Sequence, residues 1–474
     1  MELVAVACNE SCNSLERDDI LEGGAEGRPD GAEKSQSDSG TEFFLSLEEE
    51  RARTHHEEMD TFESRDTMEL FGRHEGDQAI AAVGIFDPSY PRIAAWSYSR
   101  AKQAGLILGQ DQPSAWEASK FGARGSNLGN LVWGFGAHTL VTSRLEHNRT
   151  KIMSAPQDEF LALYIAQGPI LGVKGTESDV ELSLREQYVL EVVLDVERPM
   201  IVLGIGIGAA VANCSTAELS DGSMDFLDKL KSRICMIGGF VGFRGECGVG
   251  LAHRAGFRHG FEAMGCPSLF INKKVGLGRR LQSRYSTLKL HLLDETRSLR
   301  IGLLCDGSHL DRDLSEFLFL RGAVGSVVLY QDPRDDWCQE YVQLSNEENV
   351  KTVAHFDIER WREAVSGLDL VIGPRVHGSM ISISVEVPVI TFSIDARIQE
   401  MCEMMRLACV PYQESSSHLP VRAIIERMIQ AIDRFNGTEF DYRRQALAER
   451  YVSVFKKYRI ESHPELFELA GKVD

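Results

Sequence analysis

Leu368-Asp369-Leu370-Val371-Ile372-Gly373-Pro374-Arg375-Val376-His377-Gly378-Ser379-Met380 decides how the rest of the chain is read. Its first half is an apolar run of strand length that stops at Gly-Pro, and its second half opens a more helical segment at Gly-Ser. Strand, loop and helix N-terminus follow one another here. In an open α/β sheet, ligands bind at the carboxyl ends of strands, and the first turn of the next helix offers N–H groups to an anion. Arg375 supplies a planar, permanently charged fork for carboxylate or phosphate, and His377 is a group able to move a proton near neutral pH. The competing reading makes Arg375 a solvated loop residue and His377 a hydrogen-bonded core histidine; spacing alone leaves both open. A second β-branched run, Pro388 to Phe392, leads to Asp395 and Arg397.

Upstream, strand-like and helical periods alternate, which predicts doubly wound parallel sheets. Pro199 to Gly208 reads as a buried parallel strand ending in glycines, preceded by an amphipathic helix over Ser183–Leu194. Met224–Lys231 reads as a short helix and Arg233–Ile237 as the next strand. The glycines at 204, 206 and 208 do not make a dinucleotide fingerprint, because Val211 stands where a further glycine is needed. Gly242-Phe243-Arg244-Gly245-Glu246 then repeats the strand–Arg–helix order of Arg375, ahead of a helical pattern over Val249–Ala255. Its plain reading is a surface Arg–Glu pair worth little. Asn272 to Tyr285, basic and glycine-containing, reads as an interdomain linker. The alternation restarts with strands at Leu299–Cys305 and Ser326–Tyr330 and helices at Ser315–Leu320 and Ile358–Ser366. Two closing helices, Val421–Phe435 and Tyr442–Tyr458, are placed to pack back across the halves.

The 474 residues exceed one ordinary core, so two Rossmann-like domains are expected, at 79–275 and 286–474. Residues 1–78 are rich in Glu, Asp, Ser and Gly and read as an acidic disordered tail, too poor in large apolar groups to offset ordering entropy. The formal net charge of -20 excludes nucleic-acid binding through a broad basic face, though not a local cationic pocket. No apolar run reaches membrane-span length, and Met1–Cys8 lacks the form of a signal peptide, so a cytoplasmic, reducing setting is the default. The ten cysteines lack paired zinc-ligand spacing and read as reduced thiols; no metal ligand set is expected. Asn148-Arg149-Thr150 and Asn436-Gly437-Thr438 fit a glycosylation pattern and carry little weight without a signal peptide.

Several of these stretches together resemble the polysaccharide pyruvyl transferase family. The resemblance is strongest from His355-Phe356-Asp357 through Trp361, Leu368–Gly373, Arg375-Val376-His377-Gly378, Pro388 and Asp395-Ala396-Arg397, whose hallmark is an Arg-x-His-Gly loop after a strand. Phe243-Arg244-Gly245-Glu246 to Gly265-Cys266-Pro267-Ser268 is similar to the middle of that family, and Asn127-Leu128-Gly129-Asn130 to its N-terminal loop. The likeness runs from about Asn127 to Val410. It implies an α/β fold like the two-domain (GT-B-type) glycosyltransferases, and an enzyme moving pyruvate from phosphoenolpyruvate onto a saccharide acceptor as a ketal, with no cofactor. By motif, Arg375, Arg244, Gly378, Asn127 and Asn130 would then bind the donor and His377 would be catalytic.

The residues fit that chemistry independently. Phosphoenolpyruvate carries a carboxylate and a phosphate, which two guanidinium groups across a cleft match in charge and bidentate geometry. Its methylene carbon must be protonated before a hydroxyl adds, and His377 is the available acid. Asp395 is a candidate base or orienter, or else only the cap of the following helix. Two other classes stay open: a nucleotide-sugar glycosyltransferase of the same fold, and a catalytically silent binding or scaffold protein.

Overall fold

The computed structural model describes residues 92–96, 129–143, 145–146, 160–165, 170–174, 198–208, 217–306, 309–330, 350–354, 358–412 and 418–471. The tail at 1–78 and the expected helix Ser183–Leu194 lie outside them. Both sheets fall within one compact unit, residues 88–474.

In chain order the first half holds β1 (Arg92–Trp96), α1 (Gly129–His138), β2 (Leu145–Glu146), β3 (Phe160–Ile165), β4 (Ile170–Gly172), β5 (Met200–Gly208), α2 (Asp221–Ile237), β6 (Gly239–Phe243), α3 (Glu246–Arg254) and β7 (Phe261–Ala263). A 3-10 turn at Pro267–Phe270 ends it. The strands form one parallel sheet in the order β2-β1-β3-β5-β6-β7, with β4 on the far end of β5. β5 is buried on both faces: Ile201 and Leu203 join one core, while Met200, Val202, Ile205 and Ile207 join another. That explains its unbroken apolar run.

The second half holds α4 (Leu277–Leu293), β8 (Ile301–Cys305), α5 (His309–Arg321), β9 (Ser326–Tyr330), β10 (Val350–Ala354), α6 (Ile358–Ser366), β11 (Leu370–Gly373), α7 (Val376–Ser384), β12 (Val389–Ser393), α8 (Ala396–Met405), β13 (Cys409–Pro411), α9 (Val421–Arg434), α10 (Gly437–Lys457) and α11 (Pro464–Leu469). Its parallel sheet runs β10-β9-β8-β11-β12-β13. Renumbered from its own first strand this is 3-2-1-4-5-6, the doubly wound order, whose topological switch point falls between β8 and β11.

Two expectations about elements need correction. Arg233–Ile237 is no strand but the last turn of α2, which Gly238 caps at φ 94°, and the strand begins at Gly239. The buried set Phe226, Leu227, Leu230, Arg233, Ile234 continues one helical stripe through the apolar run that alone looked like β. The expected linker Asn272–Tyr285 is mostly the start of α4, whose buried Leu277, Leu281, Tyr285, Leu288 and Leu292 recur at helical spacing while Arg279 faces out. The thiols also differ in one place: Cys247 is disulfide-bonded, whereas Cys235, Cys266, Cys305, Cys402 and Cys409 are in no disulfide.

Of the two closing helices, α10 packs back across the halves, while α9 packs on β12 and β13 of the second sheet. Tyr458 Oη donates to the Gly239 carbonyl, Arg450 to that of Ala263 at 2.7 Å, and the His463 N–H to that of Leu140 at 2.8 Å. Asn436 of the second glycosylation-like triplet caps α10, accepting the N–H groups of Thr438 and Glu439. Among the described residues, no helix is long and apolar enough to cross a membrane.

Candidate active site

The switch point of the second sheet is where Arg375 stands. Gly373 ends β11 at φ 139°, a left-handed backbone in which a Cβ would lie 2.1 Å from the Leu304 carbonyl oxygen, so glycine is required for β11 to run this close to β8. After Pro374 the chain turns and Arg375 becomes the N-cap residue of α7 without a side-chain cap bond. Its Nε donates to the Cys305 carbonyl at 3.1 Å and an Nη to that of Asp306 at 3.4 Å, at the carboxyl end of β8. The guanidinium is thus anchored along one edge of its fork. Gly378, expected to line a donor site, sits against Leu304: a Cβ there would meet the Leu304 side chain at 2.4 Å.

The first sheet offers the same device. Arg244 follows β6, is buried, and donates from Nε to the Gly204 carbonyl of β5 at 3.0 Å. Its guanidinium carbon lies 4.2 Å from the ring centroid of Trp133, within cation–π range. Trp133 comes from α1, and it reaches this position because Gly204, at φ 74°, has no Cβ; one would stand 2.2 Å from the indole. Gly206 likewise leaves room for the Arg244 side chain, whose Cδ a Cβ there would meet at 3.1 Å. The glycines that fail as a dinucleotide fingerprint therefore seat an indole and a guanidinium. Buried Cys266 and Ser268, 2.9 Å apart, stand close enough for the Arg244 charge to act on the thiol, whose pKa burial nonetheless raises.

His377 joins the two halves. Helix α7 packs on α1 and on the 3-10 turn, which stacks the imidazole on Trp133 with centroids 5.8 Å apart and planes 28° apart. The ring is buried, and its Nε2 has no hydrogen-bond partner among the described residues; the same holds for Trp133 Nε1. Burial first, then the charges of Arg244 and Arg375, push the His377 pKa down to about 3. The site therefore holds a neutral imidazole within the fields of two cations.

Arg244, Arg375 and His377 are thus brought together, as their motifs suggested. Asp395 is occupied elsewhere: Oδ1 accepts the Ile398 N–H at 2.9 Å as the N-cap of α8, and Oδ2 accepts from Arg397 at 2.6 and 3.1 Å. Asn127 lies outside the described residues, and of Asn130 only its place in α1 is described. Sequence reading missed two residues. Neither Trp133, just past the Asn127–Asn130 stretch, nor Glu400, on α8, was given a role from the sequence. Burial raises the Glu400 pKa although Oε1 accepts the N–H of Cys247 at 2.6 Å and that of Gly248 at 3.3 Å, at the start of α3. Among the described residues no cluster of acidic, histidine or cysteine side chains forms a metal site.

Two parallel sheets, the second of doubly wound order, with an arginine at a strand's carboxyl end in each, define an α/β protein of the Rossmann type. Residues 174–396 match the family model described as Polysaccharide pyruvyl transferase, a stretch that holds Arg244, Arg375, His377 and Asp395. The resemblance carried by the Arg-x-His-Gly loop is thereby borne out, and the family is one of transferases. No curated protein matches the chain. Among solved structures it is similar to Anabaena HepE in complex with UDP, at 13% identity and a TM-score of 0.35 over 66% of this chain and 80% of that one. It is also similar to Methanocaldococcus jannaschii UDP-GlcNAc 2-epimerase, at 10% identity and a TM-score of 0.30 over 60% and 73%.

Proposed function

We propose that the protein transfers pyruvate from phosphoenolpyruvate to a saccharide, forming a cyclic ketal and releasing phosphate. One observation carries the reading: the unpartnered Nε2 of buried His377 lies within the fields of Arg244 and Arg375, one from each sheet. Each arginine spends its Nε on the backbone carbonyl of a neighbouring strand, which fixes its plane and directs the fork toward a carboxylate or phosphate.

The proton balance follows from the donor. Protonation of the methylene carbon makes the methyl group and leaves cationic character on the carbon bearing phosphate. A sugar hydroxyl adds there and loses its proton; phosphate leaves; a second hydroxyl closes the ketal. Of the two hydroxyl protons, one replaces that spent on the methyl group and one leaves with phosphate. His377 is the acid in this scheme although burial and the two cations favour its neutral form. Burial is the larger cause of its low pKa; the carboxylate and phosphate of the donor offset the second cause, the two guanidinium charges, and so raise the proton affinity of the ring. The acid is loaded by its own substrate.

Calorimetry against phosphoenolpyruvate and against nucleotide sugars tests the reading, run in two buffers of different ionisation enthalpy. The expected result is phosphoenolpyruvate binding with a buffer-dependent heat that reports proton uptake. Tight nucleotide-sugar binding with no response to phosphoenolpyruvate would replace it with glycosyl transfer.

A further inference from the structure

Glu400 is a carboxylate in an expensive place. It projects from α8, between β12 and β13 of the second sheet, and its Oε1 accepts the N–H of Cys247 at 2.6 Å and of Gly248 at 3.3 Å in the first turn of α3, between β6 and β7 of the first sheet. Burial raises its pKa; the two backbone bonds and the charge of Arg244 oppose that, and Glu246 adds to it. A carboxylate at a helix N-terminus gains from the unpaired N–H groups and the helix dipole, which offsets part of the desolvation. The fit is close. Gly245, the residue between Arg244 and the start of α3, has an extended backbone that any residue adopts, yet its Cβ would stand 2.1 Å from Glu400 Cγ and 2.5 Å from the carboxyl group. Glycine is present here for space. The Glu400 side chain lies flat on the backbone directly after Arg244.

Helix α8 also packs against α3 and β5, and β5 supplies both the carbonyl that Arg244 bonds and the glycine, Gly204, that seats Trp133. We propose that Glu400 is the positioning residue of Arg244: it ties the β6–α3 loop to the second half, fixing where the Arg244 guanidinium lies over Trp133 and hence opposite Arg375. The structural part stands without any assumption about the ligand. The functional part rests on the proposed function above, with Arg244 as one of the two groups that hold the donor.

The test has a readout for each part. Intrinsic fluorescence of the full chain reads the Arg244–Trp133 contact without donor. Glu400→Ala is expected to shift or brighten the indole emission, Glu400→Gln to restore it because the amide oxygen still accepts both N–H groups, and the difference is expected to vanish in a Trp133→Phe background. An emission unchanged by Glu400→Ala would overturn the proposal. A stability cycle adds a check on the contact itself. Gly245→Ala is expected to lower Tm in the wild-type background and to be close to neutral beside Glu400→Ala, where the collision is gone; equal losses in both backgrounds would overturn it. With phosphoenolpyruvate, Glu400→Ala is expected to raise the donor KM about tenfold with kcat within a small factor, as for lost ground-state positioning. Normal donor KM with a lowered Tm would reduce Glu400 to a structural residue. Failure of the wild-type chain to bind phosphoenolpyruvate would remove the donor reading while the first two measurements still decide the role of Glu400.

Discussion

The Arg375 and Arg244 loops are built alike and supported differently. Each follows a parallel strand, precedes a helix, and spends its Nε on the carbonyl of a neighbouring strand at 3.1 and 3.0 Å. Around Arg375 the support comes from within its own half: Gly373 lets β11 close on β8, and Ser379 Oγ, 2.9 Å from Thr391 Oγ1, ties α7 to β12. Around Arg244 the support comes from far along the chain: Trp133 from α1, Gly204 from β5, and Glu400 from α8 of the other half. One loop orders itself, while the other is held by its neighbours. Substitutions should therefore act on the first mainly through chemistry and on the second mainly through placement.

His377 belongs to the self-ordered loop, and the largest effect is expected there. His377→Gln should keep phosphoenolpyruvate binding within a small factor and lower turnover roughly 10²–10⁴-fold, the range for loss of a general acid. In deuterated solvent the wild-type product should carry label in the ketal methyl group. Near-normal turnover, or failure only through lost donor binding, would move His377 into the binding set. The same residue sets a pH dependence. Its folded pKa, about 3, lies below the unfolded value, so the unfolded chain takes up the proton first and folding stability falls as pH drops from about 6.5 toward 3. His377→Gln should flatten that fall in acid unfolding curves; an unchanged slope would mean that the ring is not held neutral.

The two arginines come next. Arg375→Lys keeps the charge but loses the planar fork and its anchoring bond, and Arg244→Ala removes charge and ring contact together. Each is expected to weaken phosphoenolpyruvate binding by on the order of 2–5 kcal/mol, measured by calorimetry. Unchanged affinity in both would reject the assignment. If the comparison holds, only Arg244→Ala should also change Trp133 fluorescence.

What the sequence shows follows the same division. Strand β11, its terminal Gly-Pro and the Arg-x-His-Gly loop lie within a few residues of one another, so period and turn chemistry expose them. The doubly wound class was legible from alternation of helix and strand. Trp133 and Glu400 were not, because their roles arise from packing between elements more than a hundred residues apart, which local periodicity does not encode. Gly204 shows this most clearly: read along the chain it is a failed fingerprint, and in space it is the floor under an indole. The strand expected at Arg233–Ile237 erred in the other direction, since an apolar run of that length suits a buried helical turn equally well.

Gly204→Ala tests the remote support directly. It combines a left-handed backbone, φ 74°, with a Cβ 2.2 Å from a fully buried indole. Strain and overpacking together should cost on the order of 2–3 kcal/mol in denaturant unfolding. Gly206→Ala, whose new methyl would meet only the flexible Arg244 chain at 3.1 Å, should cost less. A reversed order would mean that Trp133 is not fixed by β5.

Asp395 gives the smallest expected effect and separates cap from chemistry. Both of its oxygens are engaged in its own helix start, one by the Ile398 N–H and one by Arg397. Its loss should register as an ordinary N-cap deletion, about 0.5–2 kcal/mol of stability for Asp395→Ala. Because α8 carries Glu400 one turn further on, loosening this cap should also disturb the Arg244 contact slightly, visible as a small rise in donor KM. Asp395→Asn keeps an oxygen for the Ile398 N–H and should be close to wild type in both stability and turnover. If instead Asp395→Asn folds normally and loses turnover by orders of magnitude, its charge acts in the reaction. The loop after β12 would then be a third chemical loop, and the division between a self-ordered arginine and a supported one would no longer describe the site.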